Sequence, residues 1–463
     1  MRDNVIMKIT GKDLRRWEIP QGPVYKLLLS VIEKMIERDP ELSKNQIREK
    51  IDAVLLDYHS YENDELFGEV ANLYLEEEKR QKVNELVEPC EVNIFGIDMI
   101  EQGAIDQINM ASRLPISLQA SCMPDGHQGY GLPIGGVLAT DNAVIPYAVG
   151  VDIGCRMHMT ITNLPFKKVE GLRDKLRNAL IANTVFGAGQ ETSSEHPIKD
   201  DERFNHSEIK RLKNTALKQL GTSGSGNHFV DFGKVILEGG EERFAILSHS
   251  GSRGFGANVA NMYTKIAMDK CKLPKEAKHL AWLSLDESEG QEYWAFMNLA
   301  GDYAKACHEV IHGKILKDLK LSTERTMQNH HNFAWKEKLS NGQEAIVHRK
   351  GATPAGKGDI GIIPGSMTSP TFIVKGLGNA KSINSSSHGA GRRMSRTKAF
   401  NNFTGADMSN DLIMNHVELI GGDIDESSFS YKDIRKVIGE QKELVEVIGE
   451  FTPWMVRMDG IGL

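Results

Sequence analysis

The segment from Ser386 to Arg396 carries one histidine, His388, in a Gly-Ala-Gly turn, and three arginines follow it: Arg392, Arg393 and Arg396. A glycine turn allows a ligand to approach the backbone closely, and arginine pairs with phosphate through charge-assisted hydrogen bonds. An imidazole in this setting is a candidate nucleophile toward a nucleoside triphosphate, with which it would form a phosphoramidate. Taken alone, such a segment is more often a simple glycine turn beside a solvated basic face.

Five residues of metal-ligating type lie in other glycine-rich or polar segments: Asp152, Cys155, His228, His249 and His331. Asp152 and Cys155 are close enough in sequence to converge on one cation if the chain turns there. One carboxylate, one thiolate and three imidazoles can hold two divalent ions if the thiolate bridges them. These donor types admit zinc, cobalt, iron or manganese, and sequence alone does not identify the ion. Each histidine alone is compatible with a structural role, but the set predicts a metal centre.

A further loop, Pro364-Gly-Ser-Met-Thr-Ser-Pro-Thr, follows an apolar run and offers backbone N–H groups and hydroxyls. Such loops cradle phosphate or contact a base, although this one is not a Walker A loop because GxxxxGK[ST] is absent. Arg349 and Lys350 supply cations nearby in sequence. Either feature alone is weak, since a lone charge cluster is usually a solvated face.

Composition sets limits on the class of protein. The 463 residues carry a net charge of −7, which argues against a generally basic nucleic-acid binder. Residues 345–398 nevertheless contain nine Lys or Arg and a single acid, as a local site for a polyanion would. The five cysteines are odd in number and form no CxxC pair, so neither a disulfide framework nor a zinc knuckle is expected. Neither a membrane span nor a secretory signal is expected, and a cytoplasmic location is the default prediction.

The elements that must position these residues begin near residue 89. Short apolar runs alternate there with glycine-rich turns and helical stretches, which predicts an α/β fold with active-site loops at strand ends. The expected strands lie in VNIFGI, GGVLAT, VIPYAVGVDIG, RFAILSHSGS, EAIVHRKG, GIIPGS and TFIVKG, and the expected helices cover 168–182, 206–219, 256–270, 289–318 and 430–450.

Residues 1–88 differ in texture and read as an acidic, amphipathic helical region. Val24, Leu28, Val31 and Met35 follow helical spacing, and Ser43 with Gln46 matches a capping box. We expect an N-terminal helical accessory region at 1–88 and a catalytic domain at 89–463.

Taken together, the segments of the second region resemble the RtcB-type RNA ligases, which join RNA ends using GTP. The motifs that carry the resemblance are MPDGHQGYGLPIGG (123–136), VIPYAVGVDIGC (144–155), GTSGSGNHF (221–229), HSGSRG (249–254), HHNFA (330–334), VHRKGATPA (347–355), PGSM (364–367), SSHGAGRRMSR (386–396) and, more weakly, DESSFSYKDI (425–434). The resemblance implies an RtcB-like fold, in which mixed sheets and helices surround a central metal and nucleotide cleft.

The resemblance also implies roles for single residues. Two manganese ions would be held, one by Asp152, Cys155 and His228 and the other by Cys155, His249 and His331, with His388 guanylylated by GTP. The nucleotide site would comprise Asn227, His228, Phe229, Asp231, His331, Asn332, Pro364, Gly365, Ser366, Met367, Thr371, His388, Gly389, Ala390 and Gly391. Phosphate or RNA contacts are expected at Arg349, Lys350, Arg392, Arg393 and Arg396.

The implied reaction passes GMP from His388 to an RNA 3′-phosphate, after hydrolysis of a 2′,3′-cyclic phosphate where one is present. The 5′-hydroxyl of another RNA end then attacks and releases GMP. The expected partners are RNA with broken ends, GTP and no membrane, and the need for an activating protein stays open. Two alternatives also stay open, namely a metal-dependent RNA-end phosphodiesterase or phosphatase and a non-catalytic RNA-binding module.

The chain departs from the usual family pattern in several positions. Arg156 replaces a glycine beside the proposed bridging thiolate, Asp231 replaces a glutamate, and Thr371 replaces a serine. Serines at 385–387 occupy a stretch where the family often has a cysteine, and the segment after Met458 lacks the usual Lys-Gly. These differences predict a divergent branch, with RNA repair or tRNA splicing as its role.

Overall fold

A computed structural model of the chain describes residues 9–81 and 83–460 and divides it into two compact units, which meet in sequence between Val83 and Asn84. The sequence analysis expected this boundary after residue 88. The N-terminal unit consists of the helices α1 (Gly11–Arg16), α2 (Val24–Arg38), α3 (Lys44–Leu56) and α4 (Gly68–Gln81). No helix in the described residues is long and apolar enough to cross a membrane.

The N-terminal helices form where the spacing predicts them. Val24, Leu28, Val31 and Met35 are all buried on one side of α2. At the start of α3 the Ser43 backbone N–H donates to Gln46 Oε1 over 2.9 Å, and the Gln46 N–H donates back to Ser43 Oγ. The predicted capping box is therefore confirmed, and it satisfies two backbone donors at the helix start.

The larger unit alternates strands and helices. Its helices are α5 (Gln102–Ala111), α6 (Pro146–Val149), α7 (Arg173–Asn183), α8 (Lys210–Gln219), α9 (Arg253–Lys270), α10 (Ser288–Leu319), α11 (Arg396–Asn402), α12 (Gly405–Met414) and α13 (Ile434–Gly439). Its strands are β1 (Glu91–Ile94), β2 (Ser117–His127), β3 (Ile134–Thr140), β4 (Ala143–Val144), β5 (Arg156–Pro165), β6 (Phe229–Leu237), β7 (Arg243–Ser250), β8 (Leu283–Ser284), β9 (Thr323–His330), β10 (Asn332–Lys338), β11 (Glu344–Lys350), β12 (Ala352–Pro354), β13 (Ile360–Ile363), β14 (Thr371–Gly376), β15 (Ser385–Ser387), β16 (Glu418–Ile420) and β17 (Val445–Met458).

Two larger sheets organise this unit. One has the order β1-β2-β3-β11-β10, and the other has the order β13-β14-β17-β6-β7-β5-β9 with β16 beside β17. Both sheets are mixed, because β1 pairs parallel with β2 and β16 pairs parallel with β17 while the other ladders are antiparallel. The predicted α/β class with mixed sheets is thus confirmed.

Helix α10 packs behind the second sheet and carries much of the core. Tyr293, Met297 and Tyr303 are fully buried there, among residues of α9 such as Val259 and Tyr263. Gly154 lies against this helix with φ +69°, and a Cβ at its position would be 2.8 Å from the Gly301 Cα. Only glycine at 154 fits both that close approach and the left-handed backbone, so this pair of glycines sets the path of the loop between α6 and β5.

Two predicted elements were wrong. Residues 430–450 do not form one helix, because the helix ends at Gly439 and residues from Val445 onward form a central strand rich in β-branched and aromatic side chains. The run 144–154 is not a strand beyond Val144, because Pro146 begins the short helix α6 at a position where its missing N–H costs nothing. The loop that follows carries two of the candidate metal ligands.

Candidate functional site

The candidate metal ligands converge because their strands are neighbours. β6, β7, β5 and β9 lie side by side in that order, and His228, His249, Cys155 and His331 lie at or beside the same ends of these strands. The register pairs Met157 with His249, which sets Cys155 close to the β7 histidine. Residues up to 179 positions apart are thus brought together by ordinary antiparallel pairing.

Two groups of donor atoms result, and Cys155 belongs to both. In the first, His228 Nε2 lies 3.0 Å from Asp152 Oδ2 and 3.7 Å from Cys155 Sγ. In the second, His249 Nε2 lies 3.2 Å from Cys155 Sγ and 3.2 Å from His331 Nε2. Within each group all ligand atoms lie within 4.8 Å of one another, as the coordination shell of a single cation would require.

Hydrogen bonds at the far ring nitrogens fix how two of these histidines face the site. His228 Nδ1 lies 2.8 Å from the Ser223 carbonyl oxygen and His249 Nδ1 lies 3.0 Å from the Asn227 carbonyl oxygen. Since a carbonyl only accepts, each Nδ1 must carry the proton, which leaves the Nε2 lone pair directed at the donor group. This is the arrangement by which proteins orient histidine ligands, and the residues present therefore fit divalent cations.

The electrostatics of the buried groups also suit cations. Burial lowers the pKa of His249 to about 3 and that of His331 well below its ordinary value, so both rings are neutral near pH 7. Burial and the nearby Asp152 carboxylate raise the pKa of the Cys155 thiol well above its ordinary value. Burial also opposes ionisation of Asp152, but its interactions with His228, Cys155 and Arg253 together lower its pKa. A cation would supply the charge that a Cys155 thiolate needs.

His388 follows β15, which pairs with β12, and its ring centroid lies 4.9 Å from that of His331. Its Nδ1 lies 2.6 Å from Asp125 Oδ2, and its backbone N–H donates to the same oxygen over 3.1 Å. Burial opposes ionisation of Asp125, but its interactions with His388, Lys432 and His127 together lower its pKa, so the carboxyl remains ionised near pH 7. Because a carboxylate oxygen only accepts, the proton of this contact lies on His388 Nδ1, and Nε2 is the ring nitrogen available to a ligand.

Asp125 was not among the predicted site residues, although its motif was quoted. It is fully buried, and Lys432 holds its loop by donating to the carbonyl oxygens of Pro124 and Gly126 over 3.1 and 2.7 Å. The available signal was an acidic residue in a glycine-rich segment at the end of an apolar strand. No local spacing links Asp125 to a partner 263 residues away, so its role became visible only in the fold.

A cleft of about 910 Å³ opens beside His388. Most of the predicted nucleotide residues line it, namely Asn227, Phe229, Asp231, Pro364, Gly365, Ser366, Met367, Thr371, His388, Gly389, Ala390 and Gly391. His228 and His331 lie instead in the two donor groups. Asn332 braces the site, because its amide donates to the Asp152 carbonyl oxygen over 3.3 Å and accepts from the Gly351 N–H over 2.8 Å.

Asp231 is the one carboxylate on the β6 wall of this cleft. It is 6% exposed, and its Oδ1 has no hydrogen-bond partner among the described residues. Burial raises its pKa well above the ordinary value. A buried acceptor without a partner in a cleft is a candidate contact for a polar ligand.

The predicted phosphate contacts divide into two groups. Arg392, Arg393 and Arg396 line the cleft; Arg396 is about half exposed and contacts Asp425 and Glu426 over 2.6 and 2.8 Å. Arg349 does not reach a surface, since it is 1% exposed, bonds Glu337 and Ser385 Oγ, and stacks on Trp335 at 4.7 Å. The predicted contact at Arg349 is therefore wrong, because the guanidinium is already paired in the core.

The structure also places Lys350, a predicted phosphate contact, and Arg156, which replaces a family glycine. Lys350 donates to the carbonyl oxygens of Tyr130 and Tyr147 over 2.6 and 3.1 Å, and burial lowers its pKa to about 7. Arg156 points away from the metal ligands, because alternate residues of β5 face opposite sides, and it donates to the Gly301 carbonyl oxygen over 3.1 Å. The five cysteines are free, as expected.

The chain is similar to one protein family and to several of its members. The family model described as "tRNA-splicing ligase RtcB" matches residues 107–211 and 195–459. The chain is 33% identical over 382 residues to "RNA-splicing ligase RtcB" of Escherichia coli (strain K12), covering 75% of this chain and 92% of that protein. It is 29% identical over 436 residues to "tRNA-splicing ligase RtcB" of Nanoarchaeum equitans, covering 77% and 91%, and 28% identical over 420 residues to that of Thermococcus kodakarensis, covering 73% and 87%. With these motifs, donor groups and matches, the chain belongs to the RtcB family.

Proposed function

We propose that this protein is a GTP-dependent RNA ligase that joins a 2′,3′-cyclic phosphate or 3′-phosphate end to a 5′-hydroxyl end, in RNA repair or tRNA splicing. The observation that carries the proposal is the position of His388. Asp125 fixes the tautomer of His388. The His388 side chain lies in a cleft beside the two groups of metal-ligating atoms. The relatives' printed names, RNA- or tRNA-splicing ligase, support the same activity.

In the first step, His388 Nε2 attacks the α-phosphorus of GTP. A P–N bond forms, the P–O bond to the β-phosphate breaks, and pyrophosphate leaves. The Nδ1 proton stays in its hydrogen bond to Asp125, whose carboxylate stabilises the positive charge that develops on the ring. Asp125 thus positions the nucleophile and compensates its charge without accepting the proton.

The two donor groups would hold divalent ions, with Cys155 shared between them, and we propose manganese. Bound there, the ions would neutralise charge on the phosphates of the nucleotide and of the RNA end. Arg392, Arg393 and Arg396 would add positive charge along the cleft, and Asp231 would accept hydrogen bonds from the nucleotide base.

The later steps return His388 to its starting state. An oxygen of the RNA 3′-phosphate attacks the phosphorus of the bound GMP, the P–N bond breaks, and the nucleotide passes to the RNA. The 5′-hydroxyl oxygen of the second end then attacks the RNA phosphorus, its proton passes to solvent, and GMP leaves. A 2′,3′-cyclic end first needs water to open it to a 3′-phosphate.

Labelled GTP tests the proposal directly. The protein is incubated with manganese and α-³²P-GTP, with the His388→Gln variant as the matched control. The expected result is an acid-labile label on the native protein alone, and joining of RNA that carries 3′-phosphate and 5′-hydroxyl ends. Absence of label with every divalent metal and nucleotide would contradict the proposal. Opening of the cyclic phosphate without label would indicate an RNA-end phosphodiesterase instead.

A further inference from the structure

A loop between β2 and β3 presents an aromatic ring at the cleft. Tyr130 is 69% exposed, yet it lines the same cleft as His388. An exposed aromatic ring at the edge of a polar cleft leaves one of its faces available to a ligand. The exposed ring is therefore a candidate contact for a ligand with an aromatic face.

The backbone beneath this ring is held in place from several sides. The Gly129 N–H donates to Gln107 Oε1 over 3.0 Å, and Gln107 Nε2 donates back to the Gly129 carbonyl oxygen over 2.6 Å. Lys350 Nζ donates to the Tyr130 carbonyl oxygen over 2.6 Å. The loop backbone is fixed while the Tyr130 ring is exposed to solvent. Stacking of a ligand on this ring would therefore cost little free energy for ordering the protein.

Two further rings support Tyr130. Tyr147 and His279 stack with centroids 5.1 Å apart, and Tyr130 meets them at steep angles, with centroid distances of 6.4 and 6.1 Å. Burial, Lys278 and Lys350 lower the pKa of His279, so this ring is neutral near pH 7. The three rings thus form one aromatic cluster, with Lys350 Nζ 4.9 Å from the Tyr147 ring centroid, and its exposed member, Tyr130, suits the face of a base.

The cluster is also tied to the nucleophile. Lys350, which holds the carbonyl oxygens of Tyr130 and Tyr147, is followed by Gly351, and a Cβ at Gly351 would lie 3.1 Å from His388 Cε1. Lys350, at the end of β11, contacts the aromatic cluster, and Gly351, the next residue, lies against the His388 ring. The candidate acceptor for the nucleotide base, Asp231, comes from β6 in the other sheet.

We propose that Tyr130 is the stacking platform for the terminal base of the RNA strand whose 3′-phosphate reaches His388. Single-stranded ends are recognised mainly by stacking of unpaired bases on aromatic side chains, which tolerates any sequence. The inference rests on the proposed ligase function, because it needs an RNA end in this cleft. Tyr147 and His279 position the platform, and Lys350 fixes its backbone.

The test uses an RNA with 2-aminopurine as its 3′-terminal base and a 3′-phosphate, titrated with the full chain. Stacking quenches 2-aminopurine fluorescence, so quenching is expected with the native protein and with Tyr130→Phe, but not with Tyr130→Leu. RNA binding by Tyr130→Leu should weaken roughly 5- to 150-fold, the range that base–aromatic stacking supports. GMP labelling of His388, which needs no RNA, should stay within about twofold of native in both variants and shows that they are folded.

Three results would overturn the proposal. Equal quenching by Tyr130→Leu would show that the ring does not stack on the base, and quenching only with 2-aminopurine at the 5′-hydroxyl end would assign the platform to the other strand. A parallel loss of GMP labelling would mean that Tyr130 holds the guanine. Failure of the ligase function itself has a separate signature, namely that no variant, native included, forms a His388 label.

Discussion

Asp125 Oδ2 lies 2.6 Å from Nδ1 of His388, and this contact joins a fully buried carboxylate to the proposed nucleophile. Asp125→Asn keeps the shape of the side chain but no longer requires the proton to reside on Nδ1. We expect GMP labelling to slow by about 10²- to 10⁴-fold, as when the acid that orients a catalytic imidazole is replaced. The labelling rate is measured with the bound metal content as a control. Normal metal content with a native labelling rate would contradict the role.

Cys155 is the only ligand common to both donor groups among the described residues. We expect Cys155→Ala to lose both metal ions and GMP labelling, since neither group keeps its full donor set. Metal content is measured by elemental analysis of the purified variant. Cys307→Ala is the matched control, because Cys307 is fully buried in α10 and its loss should leave labelling largely intact. Two bound ions in the Cys155→Ala variant would refute the shared ligand.

The N-terminal helices were predicted from the contrast between one polar and one apolar side, and β7 and β11 from short runs of apolar residues. β5 lacks such a run, because polar and apolar residues alternate from Arg156 to Thr162, and all of them are buried. Its apolar side packs within one sheet core, whereas Thr160 bonds His312 of α10 over 2.8 Å, so its polar residues resemble a solvent-exposed face in the sequence.

In the site, too, the sequence predicted residues that their own segments mark and missed contacts between distant segments. Asp152, Cys155 and the three histidines were predicted because residues of metal-ligating type recur in glycine-rich or polar segments, and because those segments resemble a known family. Arg349 was wrongly predicted because a basic cluster in sequence does not reveal that Glu337 and Ser385 enclose one of its members. Asp125 was missed because its partner is set by the pairing of remote strands. Both errors concern contacts that only tertiary structure determines.

The correction at Arg349 has a measurable consequence when it is compared with Arg393. Arg349→Met would leave the Glu337 carboxylate without its partner, and we expect a loss of about 3 kcal/mol in the free energy of unfolding, with a lower Tm. Arg393 is exposed at the cleft, so Arg393→Ala should change stability by less than about 0.5 kcal/mol. The Arg393→Ala change should instead weaken RNA binding. It should also reduce the slope of log binding constant against log salt concentration by about one, because about one fewer counterion is released. The reverse pattern would restore Arg349 as a phosphate contact.

Metal binding should depend on pH through Cys155. Because burial raises the pKa of its thiol, the free protein holds the proton across the neutral range, and a bound cation must displace it. The affinity for manganese is therefore expected to rise with pH, by about tenfold per unit between pH 6 and 8. Calorimetry in buffers of different ionisation enthalpy counts the released protons. An affinity that is flat over this range would mean that Cys155 does not bind as a thiolate.

Asp231 offers the sharpest test of nucleotide preference. Its Oδ1 has no partner among the described residues and it lines the cleft, so a base that donates hydrogen bonds would satisfy it. Guanine presents such donors on its Watson–Crick edge, including the N–H at ring position N1. Adenine presents an acceptor at the same ring position. Asp231→Asn replaces one acceptor with a donor, and we expect GTP labelling to weaken by about 10- to 100-fold while ATP labelling stays low or rises. Competition between labelled GTP and unlabelled ATP measures the ratio directly. An unchanged ratio would show that this carboxylate does not select the base.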